Sequence, residues 1–151
     1  MFFNSVNRPY GIFLVGCSQV EVSGISMANS AFWMARYLYC DRVLVQNIYV
    51  FNHGNINNDG VDIDGCHDVI VANCHIDASD DALCFKTEGD RSCENVVVSN
   101  CLLSSAASAL KWGTGSVGNF RNFTVSNIVI RHTKAKSAGT RVWFARRAKW
   151  H

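Results

Sequence analysis

Cys66-His67-Asp68-Val69-Ile70-Val71-Ala72-Asn73-Cys74-His75-Ile76 is followed 27 residues later by Cys93-Glu94-Asn95-Val96-Val97-Val98-Ser99-Asn100-Cys101-Leu102-Leu103. Working outward, the same register starts at Cys17, Cys40, Cys66, Cys93 and Phe120, at separations of 23, 26, 27 and 27 residues. Three residues after each start stand Val20, Val43, Val69, Val96 and Phe123, and two further on Val22, Val45, Val71, Val98 and Val125. This alternation of period two is that of a strand with one buried face. The seventh position reads Gly24, Asn47, Asn73, Asn100 and Asn127, the eighth Ile25, Ile48, Cys74, Cys101 and Ile128, and the tenth Met27, Val50, Ile76, Leu103 and Ile130.

One such unit cannot bury its own apolar face, whereas coils stacked on one another share a continuous core and pair their strands in parallel. The expected fold is therefore all-β, a right-handed parallel β-helix (β-solenoid) of about five rungs, rising roughly 20–25 Å at the usual strand spacing. The asparagine column is expected to be a ladder of buried amides at a bend, each bonded to the next rung. Leucine-rich or helical solenoids lack support, since no 3.6-residue face recurs. Pro9 is the only proline, in keeping with uninterrupted ladders. Residues 1–133 are assigned to the β-helix. Residues 134–151 form a basic tail of six Lys or Arg and no acid, expected to depart from the rung pattern. Neither end carries a recognisable cap, which implies a piece of a longer helix with exposed edges prone to aggregation.

With 48% hydrophobic and 17% charged residues the composition is globular, and a net charge of +2 gives no reason to expect nucleic acid. No apolar run is long enough for a membrane helix, and the start lacks a signal peptide, so either the protein is intracellular or its true start lies upstream. Seven cysteines in no C-x-x-C spacing read as small buried hydrophobes. A zinc site from Cys66-His67 and Cys74-His75 would be hard to close within one strand-like run.

Acids interrupt the register twice, in Asn57-Asn58-Asp59-Gly60-Val61-Asp62-Ile63-Asp64 and in Ser79-Asp80-Asp81-Ala82-Leu83-Cys84-Phe85-Lys86. The stretch 51–56 reads as a loop; removing it brings Asp59, Asp80 and Asp81 to nearly one face of adjacent rungs. Carboxylates held close raise the proton affinity of at least one, as glycoside hydrolysis by an acid and a base requires. The same residues also suit plain turns, a solvated loop or a calcium site.

Asn57-Asn58-Asp59-Gly60 resembles the N-T-D-G motif of glycoside hydrolase family 28, and Ser79-Asp80-Asp81 its G-D-D motif. Asn29-Ser30-Ala31-Phe32-Trp33 with Cys40-Asp41-Arg42-Val43 is similar to the coil preceding that family's catalytic rungs, so the resemblance covers about residues 8–133. It implies an inverting polygalacturonase-like hydrolase of pectic or related acidic polysaccharide, monomeric at full length and secreted or periplasmic, needing no metal or organic cofactor. Carried over, Asp80 is the general acid, while Asp59 and Asp81 hold and activate water. Asn57, Lys86, Ser108, Lys111 and Trp112 are the expected substrate-binding residues. The family's G-H-G becomes Ala107-Ser108-Ala109, and Arg141-Val142-Trp143 stands near where R-I-K belongs but lacks the lysine. Lys86 and Lys111, taken to occupy equivalent places on successive rungs, are the substitute cations for a uronate carboxylate. Of Phe32, Trp33 and Trp112, only Trp112 is expected to line a groove, while His53 could overhang the cleft. Asp62, one position removed, is expected to matter far less than Asp80. Two alternatives stay open: a polysaccharide-binding β-helix without catalysis, and a Ca²⁺-dependent lyase on the same fold.

Overall fold

The computed structural model describes residues 8–131, and these contain thirteen strands and no helix. The first coil comprises β1 (Ile12–Val15), β2 (Ser18–Ser23) and β3 (Ser26–Ala28); the second β4 (Ala35–Leu38), β5 (Asp41–Gln46) and β6 (Tyr49–Asn52). The third contains β7 (Val61–Asp64), β8 (His67–Ala72) and β9 (His75–Ala78). In the fourth and fifth, β10 (Leu83–Lys86) leads to β11 (Cys93–Ser105), and β12 (Leu110–Trp112) to β13 (Phe120–Ile130). One sheet runs β1-β4-β7-β10-β12; the other runs β2-β5-β8-β11-β9-β6-β3, with β13 added on β11. Every pairing is parallel, and the expected five-rung β-helix is the fold observed.

The sequence register is also the stacking register. Val20, Val43, Val69, Val96 and Phe123 are successive Cα partners, as are Val22, Val45, Val71, Val98 and Val125. These columns meet Tyr37, Ile63 and Phe85 from the other sheet in one core. Each fully buried aliphatic side chain contributes roughly 1.5–3 kcal/mol. Val20, Val22 and Met27 at one end and Phe123, Ile128 and Ile130 at the other are only partly buried, and among the described residues each has a stacked neighbour on one side alone. All seven cysteines are free thiols, six of them buried. Cys66 and Cys74 point into the core, while His67 and His75 are half-buried.

The asparagine column corrects one expectation. Asn47, Asn73, Asn100 and Asn127 are exposed, and all have positive φ (53°, 56°, 55° and 52°), as does Gly24 at the same register (67°). The bend demands a left-handed residue, and Asn and Gly tolerate that conformation best. The amide ladder is real but superficial: Asn127 Nδ2 donates to Asn100 Oδ1 at 3.1 Å, and Asn100 Nδ2 to Asn73 Oδ1 at 3.3 Å. A second left-handed column, Gln19, Arg42, Asp68, Asn95 and Asn122, was not anticipated. It is bonded likewise from Asn122 to Asn95 and from Asn95 to Asp68. The expectations for the tail 134–151 and for Arg141-Val142-Trp143 lie outside the described residues.

Candidate active site

The acids sit on turns that enter the first sheet. Because Ala35, Val61, Leu83 and Leu110 are stacked partners, the residues two before them, Trp33, Asp59, Asp81 and Ser108, form a column along the axis. Backbone bonds carry this column beyond the strands: Met34 N donates to Asp59 O at 2.9 Å, Gly60 N to Asp81 O at 2.8 Å and Ala82 N to Ser108 O at 2.9 Å. Asp59, Asp80 and Asp81 each bring a carboxylate oxygen within 4.8 Å of the others.

Local chemistry explains why the turns hold this shape. Asn52 and Asn58 are fully buried and act as backbone clamps. Asn52 Nδ2 donates to Phe32 O at 3.0 Å and Asp59 O at 2.7 Å; Asn58 Nδ2 donates to Ser30 O at 3.0 Å and Phe32 O at 2.7 Å. Gly60 is packed so closely that a Cβ there would stand 2.4 Å from Ala82 O and 2.3 Å from Ile76 Cγ2. The loop is 53–58 rather than 51–56, since Phe51 and Asn52 still belong to β6. It presents Asn57, with φ of 55°, whose Nδ2 reaches Asp80 Oδ2 at 3.4 Å. Arg8 braces that loop, donating to Ile56 O at 2.6 Å and to Asn57 Oδ1 at 3.4 Å.

The acids differ in setting. Asp59 and Asp81 are buried, while Asp80 is half-buried and open to an approaching ligand. Burial, followed by the charges of Asp80 and Asp81, pushes the Asp59 carboxyl up to about 8. Lys111 Nζ lies 2.6 Å from Asp81 Oδ2, whereas the buried Asp81 Oδ1 has no hydrogen-bond partner. Desolvation lowers the proton affinity of Lys111, but the hydrogen bond and charge of Asp81 outweigh it and the net shift is upward. Carboxylate oxygens are hard-cation ligands by type, and at this cluster Lys111 already supplies positive charge to Asp81.

Several expected residues are placed differently from the sequence reading. Lys111 stacks on Cys84, two positions from Lys86, so the two lysines share a face but not a register. Lys86 is 4% exposed, with its Nζ 4.7 Å from the Trp33 ring centre and 3.8 Å from Asp62 Oδ1. Trp112 does not line a groove: it is 5% exposed and packs in the core, 5.4 Å from Phe85 and 5.8 Å from Phe123. Trp33, in the same column as the acids, lies against the outward side chains Lys86 and Arg36, its ring centre 4.7 Å and 5.0 Å from their charged groups. His53 pairs with Asp77 at 2.8 Å. Asp62 is no distant control, being fully buried, with neither oxygen hydrogen-bonded. Its proton affinity is driven well upward, first by burial and then by Asp59. Sequence reasoning also missed Arg36, which donates from Nη2 to Asp64 at 2.6 Å and to Glu88 at 2.7 Å. The available signal was opposite charge at outward strand positions one coil apart.

The sequence profile described as glycosyl hydrolases family 28 matches residues 3–143. A probable polygalacturonase of Vitis vinifera is 29% identical over 84 residues, covering 55% of this chain and 17% of that protein. The crystal structure of a hyperthermoactive exopolygalacturonase from Thermotoga maritima superposes with a TM-score of 0.73 at 26% identity, over 82% of this chain and 31% of that one. This chain therefore spans less than a third of either relative. With a profile match over nearly its whole length and a stacked acid cluster on the matching rungs, the chain belongs to glycosyl hydrolase family 28.

Proposed function

We propose that this chain carries the catalytic rungs of an inverting hydrolase acting on a pectic or related acidic polysaccharide. The observation that carries the reading is the meeting of Asp59, Asp80 and Asp81, one oxygen from each within 4.8 Å of the others, on two stacked turns. Asp80 is the general acid: it is the one of the three open to solvent, and it gives its proton to the leaving glycosidic oxygen. Water held by Asp59 and Asp81 attacks the anomeric carbon from the opposite side, and its proton passes to that pair.

In the empty site burial favours the proton on Asp59. Turnover requires the proton on Asp80, which gives it to the leaving oxygen, and an ionised Asp59 to accept from water. Asn57, through its bond to Asp80, orients the acid, and Lys111 holds the Asp81 carboxylate in place from 2.6 Å. Ser108, in the same column as Asp81, lies where the next sugar would pass. Lys86 is covered by Trp33 and Lys111 is engaged by Asp81, so a uronate carboxylate reaches Lys111 only by sharing it with that acid. Monomeric state and a secreted or periplasmic location are proposed for the longer protein, whose polymeric substrate lies outside the cell.

One observation favours a second reading. Inverting sites generally separate their carboxyls by about 6.5–9.5 Å and retaining ones by about 5–5.5 Å, so close oxygens alone would suit retention. The test is hydrolysis of polygalacturonan by the longer protein, with the first-formed anomer followed by NMR. Inversion and a loss of about 10²–10⁴-fold in Asp80→Asn are expected. A retained anomer, unsaturated products, or full activity in Asp80→Asn would each overturn the assignment.

A further inference from the structure

The surface of the asparagine bend carries a shallow, open concavity of about 480 Å³, on a different part of the coil from the acids. Its lining includes Asn47, Asn73, Tyr49, His75 and Asn100, drawn from three successive coils, with the buried Ile48 and Cys74 beneath. Tyr49 is 42% exposed and meets the His75 ring edge to face at 4.7 Å. The exposed Arg131 sets Nη2 3.0 Å from His75 Nε2, adding a guanidinium at the rim. The amide ladder descends from Asn127 through Asn100 to Asn73 Oδ1, and among the described residues Asn73 Nδ2 and the Asn47 side-chain amide have no hydrogen-bond partner.

Exposed amides, an aromatic ring held by its neighbour and a guanidinium are the groups that bind sugar hydroxyls, a sugar face and a carboxylate respectively. The amides repeat along the axis at the strand spacing of about 4.8 Å, so a linear polymer laid there meets a fresh amide at each coil, with Tyr49 and Arg131 at fixed points along it. We propose that this groove is a second, non-catalytic binding site for an acidic polysaccharide, laid along the helix axis with Tyr49 against a sugar and Arg131 against a carboxylate. The choice of polymer rests on the hydrolase reading above; the groove itself does not. Such a site would hold the enzyme on its insoluble substrate while the acids work on another segment.

The test uses the full 151-residue chain carrying Asp80→Asn, titrated with a galacturonate oligomer of defined length and, separately, with a neutral oligomer of equal length. Side-chain amide signals of Asn47 and Asn73 in ¹H–¹⁵N spectra should shift with the acidic probe. Tyr49→Ala and Arg131→Gln should each weaken that binding about tenfold, while Tyr49→Phe keeps it. Unchanged core valine signals show that each variant is folded. Shifts confined to Asn57 and Gly60, binding untouched by Tyr49→Ala and Arg131→Gln, equal affinity for the neutral oligomer, or no binding would each overturn the proposal. Failure of the hydrolase reading would show separately, as absence of product from the longer protein while groove binding persists.

Discussion

Replacing Asp59 by Asn should stabilise the chain, and only at high pH. The carboxyl is 3% exposed, and its proton affinity rises from the ordinary 3.8 to about 8. An acid whose folded pKa exceeds its unfolded value binds its proton more tightly when folded. The folded chain thus holds the extra proton between about pH 4 and 8, and stability falls as pH rises through that window. Four units correspond to a ceiling of roughly 6 kcal/mol at about 1.4 kcal/mol each. Because the charges of Asp80 and Asp81 supply part of the penalty, the realised loss should be smaller, about 2–4 kcal/mol. Asn has the size of the neutral acid and no charge to desolvate. Urea unfolding followed by tryptophan fluorescence should therefore give Asp59→Asn about 2–4 kcal/mol more stability than the parent near pH 8.5, and a difference under about 1 kcal/mol near pH 4.5. A variant equally destabilised at both pH values would refute the reasoning, since it would show that the carboxyl supports the fold instead of straining it.

Gly60→Ala forces a methyl into Ala82 O and Ile76, so it should cost about 3 kcal/mol by urea midpoint. Asn100→Ala loses two ladder bonds and strains a φ of 55°, whereas Asn100→Gly loses only the bonds; the alanine variant should melt lower by about 1 kcal/mol of stability. Lys111→Met leaves the buried Asp81 without its 2.6 Å partner and should cost about 3 kcal/mol near neutral pH, most of it recovered by adding Asp81→Asn. An additive double variant in denaturant titration would contradict that pairing.

The parallel coils were legible because a β-helix writes its stacking register directly into sequence spacing. Val43, Val69 and Val96 recur in the text at the interval at which they stack in space. The acid turns were legible for the same reason, Asp59 and Asp81 standing one coil apart. Two classes of residue escaped. Asn73 and Asn100 were assigned the right column but the wrong cause, since sequence does not distinguish a buried amide from one tolerated for its positive φ. The outward positions of the first sheet were harder. Period two marks Asp62, Asp64 and Lys86 as facing out, which normally means solvent, yet Trp33 and the Arg36 network cover them. That cover comes from turns whose paths the period does not encode. Trp112 failed in the opposite sense, an aromatic beside a proposed site that the alternation places inward.

Coil length explains why the chemistry is concentrated on these rungs. From Ala35 to Val61 the chain takes 26 residues, and from Leu83 to Leu110 it takes 27, but from Val61 to Leu83 only 22. The short coil has no room for a loop between Ala78 and Asp80, so Asp81 enters its strand directly beneath Asp59, and Gly60 is needed where the chains close up. The longer coil before it spends its extra residues on 53–58, the loop that brings Asn57 to Asp80. A tight turn thus forces the carboxylates together against their repulsion, and a loose one supplies the neighbour that orients the exposed acid. Neither would hold on a flexible support: like charges under 5 Å apart separate unless the backbone forbids it, and here ladder bonds on both sides of each turn do so. Lengthening the 79–82 turn by two glycines should therefore relax Asp59 toward an ordinary carboxylate while leaving the valine columns intact. A ¹³C-carboxyl NMR titration reads that change directly, and an Asp59 that still titrates near 8 in the lengthened chain would show that burial alone, without the stacked acids, sets its proton affinity.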